Sequence, residues 1–138
     1  MMTSLMAAVK ATLEGDCEVS SRAAGGIHIS RPVTRAAMPY MVIVCRGATE
    51  TEYDTAGAAL ERIRLDVEAF AGTAAEAGSA GRAAVAALEG SAPAVEQGEC
   101  VAVAKVFETI EVEPPVGSAE PMWRAVVGLE FLTERGAH

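Results

Sequence analysis

Few side chains in this sequence have the chemistry for catalysis, and they are scattered. His28 stands between Ile27 and Ile29, and His138 is the last residue. Cys17, Cys45 and Cys100 are widely spaced. A nucleophilic dyad would need Cys17 or Cys45 to meet His28, with the imidazole taking the thiol proton. No nucleophile signature surrounds any of them, so His28 reads as a half-exposed strand histidine and His138 as a frayed end. There is no CxxC pair and no Cys/His cluster. The cysteines therefore read as reduced, partly buried thiols of a cytosolic or cytosol-assembled protein.

The carboxylates invite two further readings. Glu50, Glu52 and Asp54 alternate within "TETEYD", and hard cations take such oxygens. The glycine and the closing glutamate of a calcium loop are missing, so the segment reads as solvated or as facing a basic partner. Glu108, Glu111, Glu113 and Glu120 line the ends of the last hairpin. Paired carboxylates do acid–base work in a cleft, but here they alternate with apolar residues, which describes a solvent-facing row. Arg62 and Arg64 are placed to pair with some of them across strands. Gly25-Gly26 lacks the spacing and the lysine of a phosphate loop, and "AGSAG" at 77–81 lies inside a helix pattern. The reading is no catalytic, cofactor or metal site.

The elements around these residues are clearer. Leu5, Val9 and Leu13 recur every fourth residue, which predicts a helix over 2–14 ended by Gly15. Residues 15–39 read as mostly irregular, with a short strand at Ile27–Ile29. "PYMVIVCRG" then gives a strand from Tyr40 that is apolar on both faces, so something must cover each. Residues 47–59 read as an extended loop or hairpin. In 61–70, Ile63, Leu65, Val67 and Ala69 alternate with Arg62, Arg64, Asp66 and Glu68, a strand with one core face and one face toward water or a polar partner. Thr73 with Glu76 forms a capping box for a second helix whose inner stripe is Ala77, Ala80, Ala84 and Leu88, ending at Gly90. Its Gly78 and Gly81 each cost about 1 kcal/mol against Ala, offset in part by closer packing on the sheet. A loop at 91–99, a long strand over 101–113, a Pro/Gly turn and a last strand over 122–133 complete the chain. The final two strands are expected to be antiparallel.

The order α-β-β-β-α-β-β predicts an α+β fold: an antiparallel sheet of four main strands with two helices on one face. Its 138 residues fit a single domain, 1–138, large enough for a core without metals or disulfides. The net charge of −8 argues against a surface that grips phosphates. The first ten residues lack the basic start of a signal peptide, and the apolar run at 40–45 is far too short to span a bilayer.

Several stretches together resemble the tail terminator (tail-completion) proteins of long-tailed bacteriophages and gene transfer agents. They are the opening helix "LMAAVKATLEGD", the short strand "IHI", "PYMVIV", and the polar "GATETEYDTAG". The strand-into-helix join "ERIRLDVEAFAGTAAEAGSAGRAAVAAL" and the last strand "MWRAVVGLEFLTE" complete the set. The resemblance covers nearly the whole chain and includes no catalytic motif. It implies a structural virion protein at the tail–neck junction: a ring, usually of six copies, that caps the tail tube, ends its growth and offers a surface for head joining. The implied partners are other copies, the tail tube protein and the head–tail connector, with DNA passing through the lumen unbound and no membrane. An acidic ring suits that passage, because like charge repels phosphate. Under this reading Tyr40, Val42, Val44, Arg46, Glu50, Glu52, Tyr53, Asp54, Arg62 and Arg64 are the candidate ring-interface residues. Two other readings stand beside it: a neck or connector protein, and a small dimeric ligand-binding or enzymatic domain built around His28 and a cysteine.

Overall fold

The computed structural model describes residues 2–30, 37–48, 52–53, 59–90, 99–113 and 122–135. Helix α1 (Met2–Glu14) buries Leu5, Val9 and Leu13 completely, as their spacing requires. The Gly15 N–H donates to the Ala11 carbonyl at 3.0 Å and closes it. A second helix, α2 (Cys17–Arg22), follows where the sequence reads as irregular. Asp16 is its N-cap, its carboxylate accepting from the Val19 N–H at 3.0 Å. A six-residue helix that buries only Val19 has no apolar period to reveal it, which is why the pattern misses it.

Strands β1 (Ile27–Ile29), β2 (Tyr40–Ala48), β3 (Glu52–Tyr53) and β4 (Ala59–Ala71) come next, then helix α3 (Ala74–Gly90) and strands β5 (Glu99–Glu113) and β6 (Met122–Arg135). The sheet order is β1-β2-β4-β6-β5, with β3 paired to β4 off this path. The four main strands are antiparallel, as expected. The short β1 runs parallel to β2, since the chain returns to its starting end between Ile29 and Tyr40. Relative to the predicted order, the fold adds α2 and the two-residue β3 inside the 47–59 segment. Of the loop predicted over 91–99, Glu99 opens β5 instead; residues 91–98 and the turn over 114–121 lie outside the described residues.

The glycine pair at 25–26 serves this return. The Gly25 N–H donates to the Pro39 carbonyl at 2.7 Å, and the Met41 N–H donates to the Gly26 carbonyl at 3.0 Å. A Cβ on Gly25 would run into the Ala37 carbonyl, and Gly26 sits at φ +98°.

All three helices lie on one face of the sheet. Met41 and Ile43 of β2, Ile63, Leu65, Val67 and Ala69 of β4, and Ala125, Val127, Leu129 and Phe131 of β6 meet them in one core, all at 0% exposure. Helix α3 contributes Ala77, Ala80, Ala84, Ala87 and Leu88. It comes close to the sheet at two glycines: a Cβ on Gly81 would sit 3.2 Å from Val127 Cγ2, and one on Gly78 would sit 3.0 Å from Ile110 Cδ1. The Thr73 hydroxyl accepts from the Glu76 N–H at 3.1 Å and caps its start.

Candidate interaction surface

The period of two that buries Ile63, Leu65 and Val67 turns their neighbours to the helix-free face. That face carries Tyr40, Val42 and Val44 of β2 opposite Phe70, Glu68 and Asp66 of β4 in the antiparallel register, with Arg46 in the bulge between Cys45 and Gly47 and Arg64 beyond it. Strand β6 adds Met122, Arg124, Val126, Gly128 and Glu130. Strand β5 adds Phe107 opposite Gly128 and Glu111 opposite Arg124.

At one end the face is apolar and closes on itself. The Tyr40 ring stacks on Phe70 at 4.8 Å and 15°. The His28 ring stands edge-on to Tyr40 at 6.0 Å, and the Tyr40 hydroxyl points to the Met122 sulfur at 3.8 Å. Tyr40 and Val42 are buried, with Met38 and Val44 packed beside them. The outer side of the doubly apolar strand is thus covered, over Tyr40 and Val42, by the chain's own residues.

The middle of the face is an ion-pair network. Asp66 and Glu68 are each only 3% exposed. Arg46 donates to Asp66 at 2.8 Å and comes within 3.7 Å of Glu68. Arg64 donates to the other Asp66 oxygen at 3.2 Å. Arg124 lies 3.9 Å from Glu68 and donates to Glu111 at 2.6 Å, while Arg62 reaches Glu130 at 3.2 Å. Its hydrogen bond to Asp66 raises the Arg46 pKa above the ordinary arginine value, with partial burial opposing and the charges of Asp66 and Glu68 adding to the rise. Asp66 and Glu68 on this strand face therefore have charged partners within the chain. Of the four hairpin carboxylates, Glu111 is met by Arg124 and Glu108 by Lys105 and Arg82 on the helix side, while the side chains of Glu113 and Glu120 lie outside the described residues.

At the far end, the Arg64 guanidinium lies 4.6 Å over the Phe107 ring. The ring rests on Gly128, where a Cβ would occupy the space of Phe107 and would come within 2.6 Å of an Arg64 nitrogen.

Catalytic geometry does not assemble around the histidine. His28 is paired with Val42, on the helix-free face, and its Nε2 lies 3.1 Å from the Gly25 carbonyl as a donor. Cys45 is half-buried against the helix-side core, and Cys17 is exposed at the start of α2 in the helix layer. The sheet separates both thiols from the imidazole. The Cys100 side chain lies outside the described residues. Two open hollows of about 240 and 180 Å³ are lined by Glu14, Ser20 and Ile27 and by Arg22, Pro39 and Glu76 respectively, with neither His28 nor a cysteine among their described lining residues. Among the described residues no group of three His, Cys, Asp or Glu side chains is placed to hold a metal, and no helix is long and apolar enough to cross a membrane.

The family model for tail completion protein gp17 matches residues 5–133. The chain belongs to this family. It is therefore a structural protein of a phage-type tail and a component of the virion. Among solved structures it is similar to a chain in the virion of a native gene transfer agent (GTA) particle, with a TM-score of 0.74 and 19% identity over 96% of each chain. At that identity the likeness is one of fold. Comparison with curated proteins gives no match.

Within this tail completion fold, six of the ten sequence-chosen surface residues share the helix-free face: Tyr40, Val42, Val44, Arg46, Arg62 and Arg64. Glu52 and Tyr53 form β3, against Leu60 and Ala59. Glu50 and Asp54 lie outside the described residues. Sequence reasoning left Asp66, Glu68, Phe107, Arg124 and Gly128 off the list. The alternation in β4 marks Asp66 and Glu68 as facing outward, but only the strand register brings Arg46 and Arg124 over them.

Proposed function

We propose that the protein forms a ring, of six copies by the family resemblance, that caps the tail tube, ends its polymerisation and presents the surface to which the head joins. The observation that carries this reading is the tail completion family match over residues 5–133. The ring contacts other copies, the tail tube protein and the head–tail connector. In this reading the face bearing Arg46, Arg62 and Arg64, with the 47–59 segment that includes Glu50, Glu52, Tyr53 and Asp54, meets the tube or a neighbouring ring. The role is structural and needs no cofactor.

The charge distribution supports a conduit. The outer-face network pairs four arginines (46, 62, 64 and 124) with four carboxylates (66, 68, 111 and 130). The net charge of −8 therefore falls on the rest of the chain. A lumen lined from that remainder repels phosphate and lets DNA slide. Purified protein added to assembled tail tubes tests the reading. A ring at one tube end, visible by electron microscopy, is the expected result. Tubes left bare at both ends would contradict it.

A further inference from the structure

We infer that neighbouring copies in the ring join edge to edge, with the β5 edge of one copy paired to the β1 edge of the next. The inference rests on the ring reading above and names the surface that builds it.

Among the described residues, the large apolar side chains left exposed are Ile29 at 41%, Val106 at 50%, Ile110 at 44% and Val112 at 51%. All four sit on β1 or β5, the two strands that end the sheet path on opposite sides. The described side chains of the interior strands include none. Exposed apolar residues on open edges mark places where another chain adds on.

The faces agree. Ile29 is paired with Ile43, on the helix side of the sheet. Ile110 and Val112 are paired with Ala125 and Trp123, also on the helix side. A second copy placed alongside, its helices on the same side, brings its Ile29 to the Ile110 and Val112 of the first. The apolar layer between sheet and helices then continues from copy to copy.

The strand directions agree as well. With β1 and β2 pointing one way, β4 points the other, β6 returns, and β5 opposes β1. A copy added in the same orientation therefore sets its β1 antiparallel to β5, the pairing with the better hydrogen-bond geometry. Bulges break the β5 register between Cys100 and Ala102 and between Lys105 and Phe107. Beyond them Phe107–Glu113 runs unbroken, long enough for the three residues of β1. A contact that uses two different edges of the same chain is head-to-tail, and such contacts close into rings when the rotation allows. A twofold dimer would instead pair like with like.

The test is cross-linking in assembled particles. Ile29→Cys and Val112→Cys are introduced together in a Cys17→Ser background, and particles are treated with a short bis-maleimide. A ladder of covalent multimers from the double variant, with dimers only from an equal mixture of the two single variants, is the expected result. Monomers only, or dimers only from the double variant, would overturn the edge contact. A second variant, Ile110→Glu with Val112→Glu, should keep its far-ultraviolet circular dichroism and lose incorporation into particles by roughly tenfold or more. Incorporation at the wild-type level would also overturn it. Loss of the edge contact while gene-deleted particles still fail to join heads leaves the ring reading standing. Normal particles after deletion remove both.

Discussion

Asp66 and Glu68 lose nearly all contact with water, so each depends on the arginines above it. Removing Arg46 leaves Asp66 with Arg64 and weakens the cover of Glu68. Burial of the carboxylates makes that loss matter, while the half-exposure of Arg46 keeps it small. Arg46→Met should destabilise the fold by about 1–2 kcal/mol. The check is a lower denaturant midpoint, partly restored when Asp66→Asn is added. Gly128 gives a second prediction. A methyl there would occupy the place of the Phe107 ring and crowd Arg64. Gly128→Ala should therefore destabilise by about 1–3 kcal/mol, despite the chain entropy it removes. The measurement is again equilibrium unfolding, and a neutral result would mean that the ring has free space nearby. The sequence shows which side of β4 these groups occupy. It does not show their partners, because Arg46, Phe107 and Arg124 come from three other strands, aligned only by a register the chain text does not carry.

Helix α3 separates two glycines that look alike in the sequence. Gly81 faces Val127 and Ala125 across the core, at 3.2 and 3.5 Å from a built Cβ. Gly78 faces the far end of Ile110, a half-exposed side chain able to move. Gly78→Ala should then stabilise the helix by roughly 0.5–1 kcal/mol. Gly81→Val should push α3 from the sheet and destabilise by about 1–3 kcal/mol. Thermal unfolding of the two variants, moving in opposite directions, checks the assignment. At the N-cap of α2, Asp16→Ala should lose about 1 kcal/mol. Elements with long apolar patterns were legible: α1, β2, β4, α3, β5 and β6 all form close to the predicted places. The helix α2 and the strand β3 were not, since six residues and two residues are too short for either period to register.

At the level of the whole molecule, the sequence discloses the fold class and, through local resemblances, the tail completion family. The four main strands are antiparallel with helices on one face, and the parallel β1 is the one departure in direction. Function was legible only as resemblance, because no motif of reactive side chains in the sequence points to it. His28 stands on the opposite side of the sheet from the thiols of Cys17 and Cys45, and the arginines and carboxylates of the open face pair with one another. What such a chain contributes lies in its surfaces, and surfaces are assembled from many strands at once. The measurement that bears most directly on the proposed tube-capping ring is electron microscopy of particles made with this gene deleted. Overlong tail tubes beside filled, unjoined heads are the predicted result. Particles of normal length with heads attached would contradict the account.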